Sequence, residues 1–173
     1  MRLESLRGNL LAKYLLIAAL PLAVLLFTPV SNYVVLLLGE RVLLETLPFD
    51  PRDILRGDYV RLEYEIDTID ADLVPAEFDE DADEYAYVSL SVDGRGVGRV
   101  LGVSRWRPGQ GPYLKARLNS YWKRYDADYN LGVYYVPEGT GRALEDAIRD
   151  KRVLADVRIL RGRGVIKTLE IAD

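Results

Sequence analysis

The sequence contains no cysteine and no histidine among its 173 residues. Without cysteine the chain cannot build a disulfide scaffold, a thiol nucleophile or a Cys/His zinc site. Without histidine it lacks the imidazole that Ser-His-Asp triads use as their base. Basic residues are the minority, 23 against 27 acidic ones, so the composition indicates no surface for binding nucleic acid. The hydrophobic content of 49% excludes a wholly disordered chain.

One long uncharged segment lies near the N-terminus and runs from Tyr14 to Gly39. A helix needs roughly 20 apolar residues to cross about 30 Å of hydrocarbon. Tyr14 and Tyr33 stand about 28 Å apart on a helix, and aromatic side chains favour both membrane interfaces. We therefore predict a cytoplasmic flank at residues 1–10 and a transmembrane anchor at 11–32. Val34–Leu38 then emerge from the membrane or begin the first strand.

A cleaved signal peptide is the alternative to an anchor. Such a peptide ends in a small-residue cleavage site, and Thr28–Asn32 do not form one. The flank before the apolar segment contains three basic residues and one acidic residue. The positive-inside rule then predicts a single-pass protein whose N-terminus is cytoplasmic and whose residues 40–173 form an extracytoplasmic domain.

The outer segment has the two-residue periodicity of β-strands. Val60, Leu62, Tyr64 and Ile66 share one face of a predicted strand, and the residues between them share the other. Asp93-Gly94 predicts a hairpin turn, and the glycine-containing segment Arg161–Gly164 predicts another. Further strands are predicted at Arg41–Leu47, Tyr85–Val92, Val97–Val103, Tyr113–Asn119, Leu131–Val136, Arg152–Leu160 and Val165–Ile171.

One short helix interrupts this pattern, at Gly141–Arg149, with Thr140 as its cap. Six to eight short strands with one helix predict a mainly β domain, either an antiparallel barrel or a sandwich. The short helix would cover an opening or an edge of the sheet. The predicted fold is therefore this β domain behind one N-terminal transmembrane helix.

An acidic stretch lies between Asp67 and Glu84. Its part Asp79–Asp83 superficially resembles a calcium loop, but Glu84 stands where the loop needs glycine, and Leu90 where it needs a bidentate carboxylate. We therefore predict a solvated loop, with no metal and no cofactor.

Aromatic and basic residues are interleaved farther along the chain. They comprise Trp106-Arg107, Tyr121–Tyr125, Tyr129 and Tyr134-Tyr135. Such a set can form a surface for sugars or anionic lipids, with Trp106 and Trp122 as candidates for headgroup contact. Strands also favour tyrosine for packing alone, and we take packing as the better interpretation.

The segment at residues 48–64 is denser in charge and turn formers than a loop requires. Asp50, Asp53 and Asp58 alternate with Arg52 and Arg56. These groups can form an internal ion-pair network, or the two arginines can clamp a carboxylate or phosphate of a partner. Both interpretations stay open.

Gly57-Asp58-Tyr59, followed by Leu62 and Tyr64, complete the pattern GDYXXLXY. The chain therefore resembles the GDYXXLXY protein family, and the stretches Asp50–Asp53 and Tyr135–Gly139 resemble the family's companion segments. The resemblance implies a protein of the bacterial inner membrane whose family has no assigned activity. It also implies a polytopic membrane protein as a partner, because family members are often found beside or fused to one. No catalytic residue can be carried over from it.

The leading hypothesis is a non-enzymatic accessory or binding subunit for a polytopic membrane protein or an envelope component. Tyr59 and Tyr64 fall on opposite strand faces, so one is expected in the core and the other is available to a ligand. The candidate binding residues are Arg52, Asp53, Arg56, Gly57, Asp58, Tyr59, Leu62, Tyr64, Tyr135 and Glu138.

The alternative hypothesis is an envelope hydrolase. Asp58 and Glu138 would form its carboxylate pair, because glycoside cleavage needs two carboxyl groups roughly 5–9.5 Å apart. A second version is a degenerate signal-peptidase-like protein, because Arg56–Val60 resembles the strand-opening box of those enzymes. Ser31 would then be the nucleophile.

Overall fold

The computed structural model describes residues 2–47, 59–78, 84–121, 124–135 and 153–171. Side chains are described within these ranges except at residues 2–12, 59, 60, 121 and 171. One helix, α1 (Arg2–Leu38), is followed by strands and by two 3₁₀ turns, Glu65–Asp67 and Ala71–Leu73. The strands are β1 (Glu40–Glu45), β2 (Tyr59–Arg61), β3 (Thr68–Asp70), β4 (Glu84–Val92), β5 (Gly98–Ser104), β6 (Tyr113–Tyr121), β7 (Arg124–Asp128), β8 (Val133–Tyr135), β9 (Val153–Leu160) and β10 (Arg163–Ile171).

The helix α1 is apolar and exposed over most of its length. Its segment Lys13–Leu38 is long and apolar enough to cross a membrane, and these properties equally suit a signal sequence. Pro21 and Pro29 lie inside it, as spanning helices tolerate. The helix continues to Leu38, so the alternative of a strand within Val34–Leu38 is wrong.

The largest sheet has five antiparallel strands in the order β3-β7-β6-β4-β5. It curls until β5 at one edge contacts the two 3₁₀ turns that flank β3 at the other edge, which gives a nearly closed barrel. The other described strands form a three-stranded sheet in the order β1-β9-β10 and a two-stranded sheet of β2 and β8. The predicted mainly β fold with an apolar N-terminal helix is confirmed.

The core lies between the barrel and the three-stranded sheet. Each strand sends alternate side chains inward, so that Val42 and Leu44 of β1 meet Val88 of β4, Leu114 of β6 and Val157 of β9 in one buried cluster. Burying an aliphatic side chain of this kind contributes about 1.5–3 kcal/mol. The same cluster therefore holds both sheets together.

The end of α1 is joined tightly to the β domain. Val35 is buried, and the Gly39 N–H donates to the Val35 carbonyl oxygen over 2.8 Å. A Cβ on Gly39 would lie 2.5 Å from that oxygen and 3.0 Å from the backbone nitrogen of Ile159. Only glycine allows the helix to approach β9 this closely.

The predicted strand through Ile66 is shorter than expected. β2 ends at Arg61, and the turn Glu65–Asp67 replaces the rest. The cause is local, because the Asp67 carboxylate accepts the Tyr64 N–H over 2.7 Å and the Asp67 N–H donates to the Tyr64 carbonyl oxygen over 3.0 Å. Burial nevertheless alternates as predicted, with Leu62, Tyr64 and Ile66 inside.

Both predicted hairpins are present. In the first, the positive φ of 87° falls on Gly96 and not on Gly94, because Asp93 caps a three-residue loop through its carboxylate. In the second, Arg161 and Gly162 have φ angles of 53° and 85°, as a tight two-residue turn requires.

β3 and β7 were not predicted. The acidic residues of these strands hide the alternation that buries Ile69, Tyr125 and Ala127. The predicted helix Gly141–Arg149 with Thr140, and the loop Asp79–Asp83, lie outside the described residues.

Candidate functional site

The second half of the GDYXXLXY pattern ties its strand to the segment that precedes β8. The Leu62 N–H donates to the Gly132 carbonyl oxygen over 2.9 Å. The Tyr64 side chain is only 1% exposed, and its hydroxyl donates to the Leu131 carbonyl oxygen over 3.0 Å. Leu62 and Tyr64 are therefore packing and hydrogen-bonding residues, and the core member of the expected Tyr59/Tyr64 pair is Tyr64.

The pattern also places Tyr59 beside Tyr135. β2 and β8 are antiparallel, and these two residues are Cα partners in the register. The Tyr135 side chain is 79% exposed. The other predicted binding residues, Arg52, Asp53, Arg56, Gly57, Asp58 and Glu138, lie outside the described residues, as does the side chain of Tyr59.

An acidic cleft of about 330 Å³ lies beside Tyr64. The carboxylates of Asp67, Asp126 and Asp128 line it together with Tyr129, whose hydroxyl donates to the Ile66 carbonyl oxygen over 2.8 Å. The pKa of Asp67 is raised to about 7, chiefly by burial; the hydrogen bond from Tyr64 opposes the rise, and the nearby Asp126 adds to it. Burial also raises the pKa of Tyr64 and of Tyr129.

The raised pKa of Asp67 has a consequence for stability. The folded state holds this proton more tightly than the unfolded state, so the contribution to stability is fully present below the ordinary value of 3.8. It is lost as the pH rises through about 7. A change from 3.8 to about 7 corresponds to at most about 4 kcal/mol. Asp67 therefore contributes most to the free energy of unfolding at acidic pH, where its carboxyl group is protonated.

A larger groove of about 990 Å³ lies where α1 meets the β domain, and we call it the junction groove. Thr28 and Asn32 of the helix form one wall. The exposed faces of β4 and β6, the strand β8 and the turn between β9 and β10 form the rest. Tyr135, the register partner of Tyr59, also lines this groove, so β8 and the helix residues Thr28 and Asn32 share it.

The junction groove is strongly basic. Among the described residues, its lining carries one carboxylate, that of Asp128, and five cationic side chains, which are those of Arg107, Lys115, Arg117, Arg161 and Arg163. Tyrosine rings lie between them, and the Lys115 ammonium stands 4.1 Å from the centre of the Tyr85 ring. This combination suits a ligand that carries negative charge and some apolar surface.

Arg163 fastens the groove to the helix. Its guanidinium donates to the Ser31 hydroxyl over 2.8 Å and to the Asn32 side-chain oxygen over 2.7 Å. The Ser31 hydroxyl in turn donates to the Thr28 carbonyl oxygen over 2.9 Å. The Ser31 hydroxyl thus accepts from Arg163 across the junction and donates within the helix. Neither of these described hydrogen bonds involves a lysine, which a signal-peptidase-like dyad requires.

The aromatic cluster expected from the sequence is divided by the fold. Tyr125 and Tyr129 are buried, which supports the packing interpretation for them. Trp106 is 77% exposed, and Arg107 lines the junction groove with Tyr134 and Tyr135. Trp122 lies outside the described residues.

Sequence reasoning did not find the junction groove. Four of its lining residues lie on the outer face of β4 and β6, where the register pairs Tyr85 with Arg117 and Tyr87 with Lys115. The alternation of Tyr85 and Tyr87 with the apolar residues Ala86 and Val88 is visible in the sequence. The sequence does not show that β4 pairs with β6 or that β10 contacts the helix.

Comparison with known proteins identifies the family of this chain. No curated protein matches it, and no solved structure matches it. The family model described as GDYXXLXY protein matches residues 21–169, which is most of the chain and includes the helix end, the pattern and the junction groove. The resemblance seen in Gly57–Tyr64 is thereby confirmed, and the chain belongs to the GDYXXLXY protein family.

Proposed function

We propose that this protein is a single-pass, membrane-anchored binding subunit whose β domain lies outside the cytoplasm of a bacterium and binds a polytopic membrane protein. The helix α1 remains in the bilayer as the anchor. The junction groove and the neighbouring GDYXXLXY segment form the binding side of the domain.

The observation that carries this proposal is the tight joint between the helix and the domain. A domain that merely needs tethering can hang on a flexible linker. Here Val35 is buried in the domain, Gly39 permits close approach to β9, and Arg163 binds two helix side chains. Such a joint sets the orientation of the domain on the helix, which is useful when the domain must meet another membrane protein at a defined height.

The charge distribution supports a binding role. The groove gathers cationic side chains in a chain with an excess of acidic residues, and these cations attract and orient an acidic surface of a partner. Arg52 and Arg56 precede β2 in the sequence, and we include them in the proposed recognition of the partner.

Topology is tested in spheroplasts with protease added from outside. The proposal expects removal of the β domain and retention of a fragment that contains α1. Protection of the β domain, or a mature chain that lacks residues 13–38, would overturn the proposed anchor and orientation.

Partner binding is tested with a photoreactive residue placed at Tyr135 in native membranes. Leu101 is the matched control, because its side chain is also well exposed but does not line the junction groove. We expect a crosslink from position 135 to one multi-span membrane protein, identified by mass spectrometry, and none from position 101. Equal crosslinking from both positions, or to soluble proteins alone, would contradict the proposed binding side.

A further inference from the structure

The position of the junction groove along α1 suggests a second ligand. Lys13 begins the apolar segment, and Asn32 lies in the groove wall. The 19 residues between these positions correspond to about 28 Å of helix rise, close to the hydrocarbon thickness of about 30 Å. With Lys13 at one interface, the groove lies at the level of the lipid headgroups of the opposite leaflet.

Three of the cations in the groove are available to a ligand. Arg163 donates to neutral oxygens of Ser31 and Asn32, and Lys115 stands over the Tyr85 ring. Within the described part of the chain, neither side chain forms an ion pair. Arg161 lies in a tight turn at the groove, and its side chain is exposed. At these three side chains a phosphate group would find several charge-assisted donors without displacing a carboxylate.

The groove also has an apolar component. Val133, Val165 and Ile166 line it beside the cations, and Thr28 leads along the helix toward the apolar segment. A free phosphate uses only the charged part. A phospholipid uses both parts, because its headgroup meets the cations while its glycerol and first methylenes contact the apolar wall.

We propose that the junction groove binds the headgroup of an anionic phospholipid. This inference rests on the proposed anchor, because the groove reaches the headgroups only if α1 stays in the bilayer. The bound lipid would help to hold the β domain against the membrane surface in a fixed orientation. It would contact Lys115 and Arg161 on the domain side of the groove.

The test uses the full chain reconstituted in nanodiscs of phosphatidylcholine with a minor fraction of phosphatidylglycerol. Native mass spectrometry measures which lipid stays bound after release from the disc. We expect phosphatidylglycerol to be enriched over its fraction in the disc. The double variant Lys115→Gln/Arg161→Asn should lose about 25-fold in this preference, since each cation near an anionic surface contributes about fivefold and the two contributions multiply. Asparagine suits the positive φ at position 161, so the turn is preserved.

The matched control is Arg95→Gln/Arg124→Gln, which removes the same charge from exposed sites outside the groove. It should keep the full preference for phosphatidylglycerol. Equal losses in the two double variants, or no enrichment in the unmodified chain, would overturn the inference. If the double variant does not fold, the single variant Arg161→Asn is compared with Arg95→Gln in the same way.

Other outcomes assign the failure to a cause. A chain that does not enter the nanodisc contradicts the proposed anchor and not the groove. Binding of glycerol phosphate in pure phosphatidylcholine discs, without any preference for phosphatidylglycerol, would show a phosphate site in place of a lipid site. Loss of a captured multi-span protein from native membranes, with lipid retention unchanged in the double variant, would assign the groove to protein alone.

Discussion

The hydroxyl of Tyr64 is the most informative single group to remove. It is the last residue of the GDYXXLXY pattern, it is 1% exposed, and it donates to the Leu131 carbonyl oxygen over 3.0 Å. The variant Tyr64→Phe deletes this donor and keeps the ring. It therefore asks whether the final tyrosine of the pattern acts in folding or in ligand binding.

The size of the effect follows from the hydrogen bond. A typical intramolecular hydrogen bond contributes about 0.5–1.5 kcal/mol net, and a buried acceptor left without its donor costs about 1–3 kcal/mol. We therefore expect Tyr64→Phe to lower the free energy of unfolding by about 1–3 kcal/mol. For a chain of this size, each kcal/mol lowers Tm by about 2–4 °C.

The assay is thermal unfolding of the full chain in detergent, followed by the circular dichroism of the β domain. Tyr129→Phe is the matched comparison, because its hydroxyl is also buried and also donates to a backbone carbonyl, that of Ile66. Tyr85→Phe is the control, since Tyr85 is exposed and its ring contact with Lys115 needs no hydroxyl. The two buried variants should lose similar stability, and the exposed variant should lose almost none.

Two results would refute this reasoning. The first is an unchanged Tm in Tyr64→Phe, which would mean that water or another donor replaces the hydroxyl at no cost. The second is a normal Tm with loss of crosslinking from position 135, which would make Tyr64 a ligand-contacting residue in spite of its burial.

Three further predictions concern other sites. Asp67→Asn should raise the free energy of unfolding little near pH 4 and by up to about 4 kcal/mol above pH 7, because it removes a carboxylate that is costly to ionise in the fold. Denaturant titrations at several pH values measure this change, and a gain that does not depend on pH would contradict it. Gly39→Ala should loosen the joint between α1 and β9, because its Cβ would lie 2.5 Å from the Val35 carbonyl oxygen. We expect faster amide hydrogen exchange at the end of α1 and unchanged exchange in the barrel, and unchanged exchange at the end of α1 would contradict this. Arg52→Ala/Arg56→Ala should weaken capture of the polytopic partner without lowering Tm; unchanged co-purification of that partner would argue against a recognition role.

The predictions from the sequence succeeded where one residue type or a local period decides the structure. The apolar helix, most strands and both hairpins follow from hydrophobic runs, alternation and turn residues. The alternation of Leu62, Tyr64 and Ile66 was correct even where the strand gave way to a 3₁₀ turn. The side-chain period decides which residues are buried. Whether the strand continues also depends on the Asp67 carboxylate, because it accepts the Tyr64 N–H that a strand partner would otherwise use.

The sequence missed β7 for a related reason. Asp126 and Asp128 alternate with buried Tyr125 and Ala127, but the charges conceal the apolar half of the pattern. The same two acids, brought beside Asp67 by strand pairing, contribute to its raised pKa. A carboxyl group with a perturbed pKa can be recognised only when its burial and its neighbours are known.

The sequence by itself determined that this protein has a long apolar helix, a mainly β domain and the GDYXXLXY pattern, because composition, periodicity and spacing are local properties of the chain. Only the tertiary structure decided where the charges meet. Lys115 and Arg161 are far apart in sequence, and they share a groove because β6 is bridged to the turn after β9 at Leu114 and Gly162, while β9 and β10 contact α1. An acidic chain acquires a basic groove in this way, since the local field depends on distances between side chains in space and not on net charge.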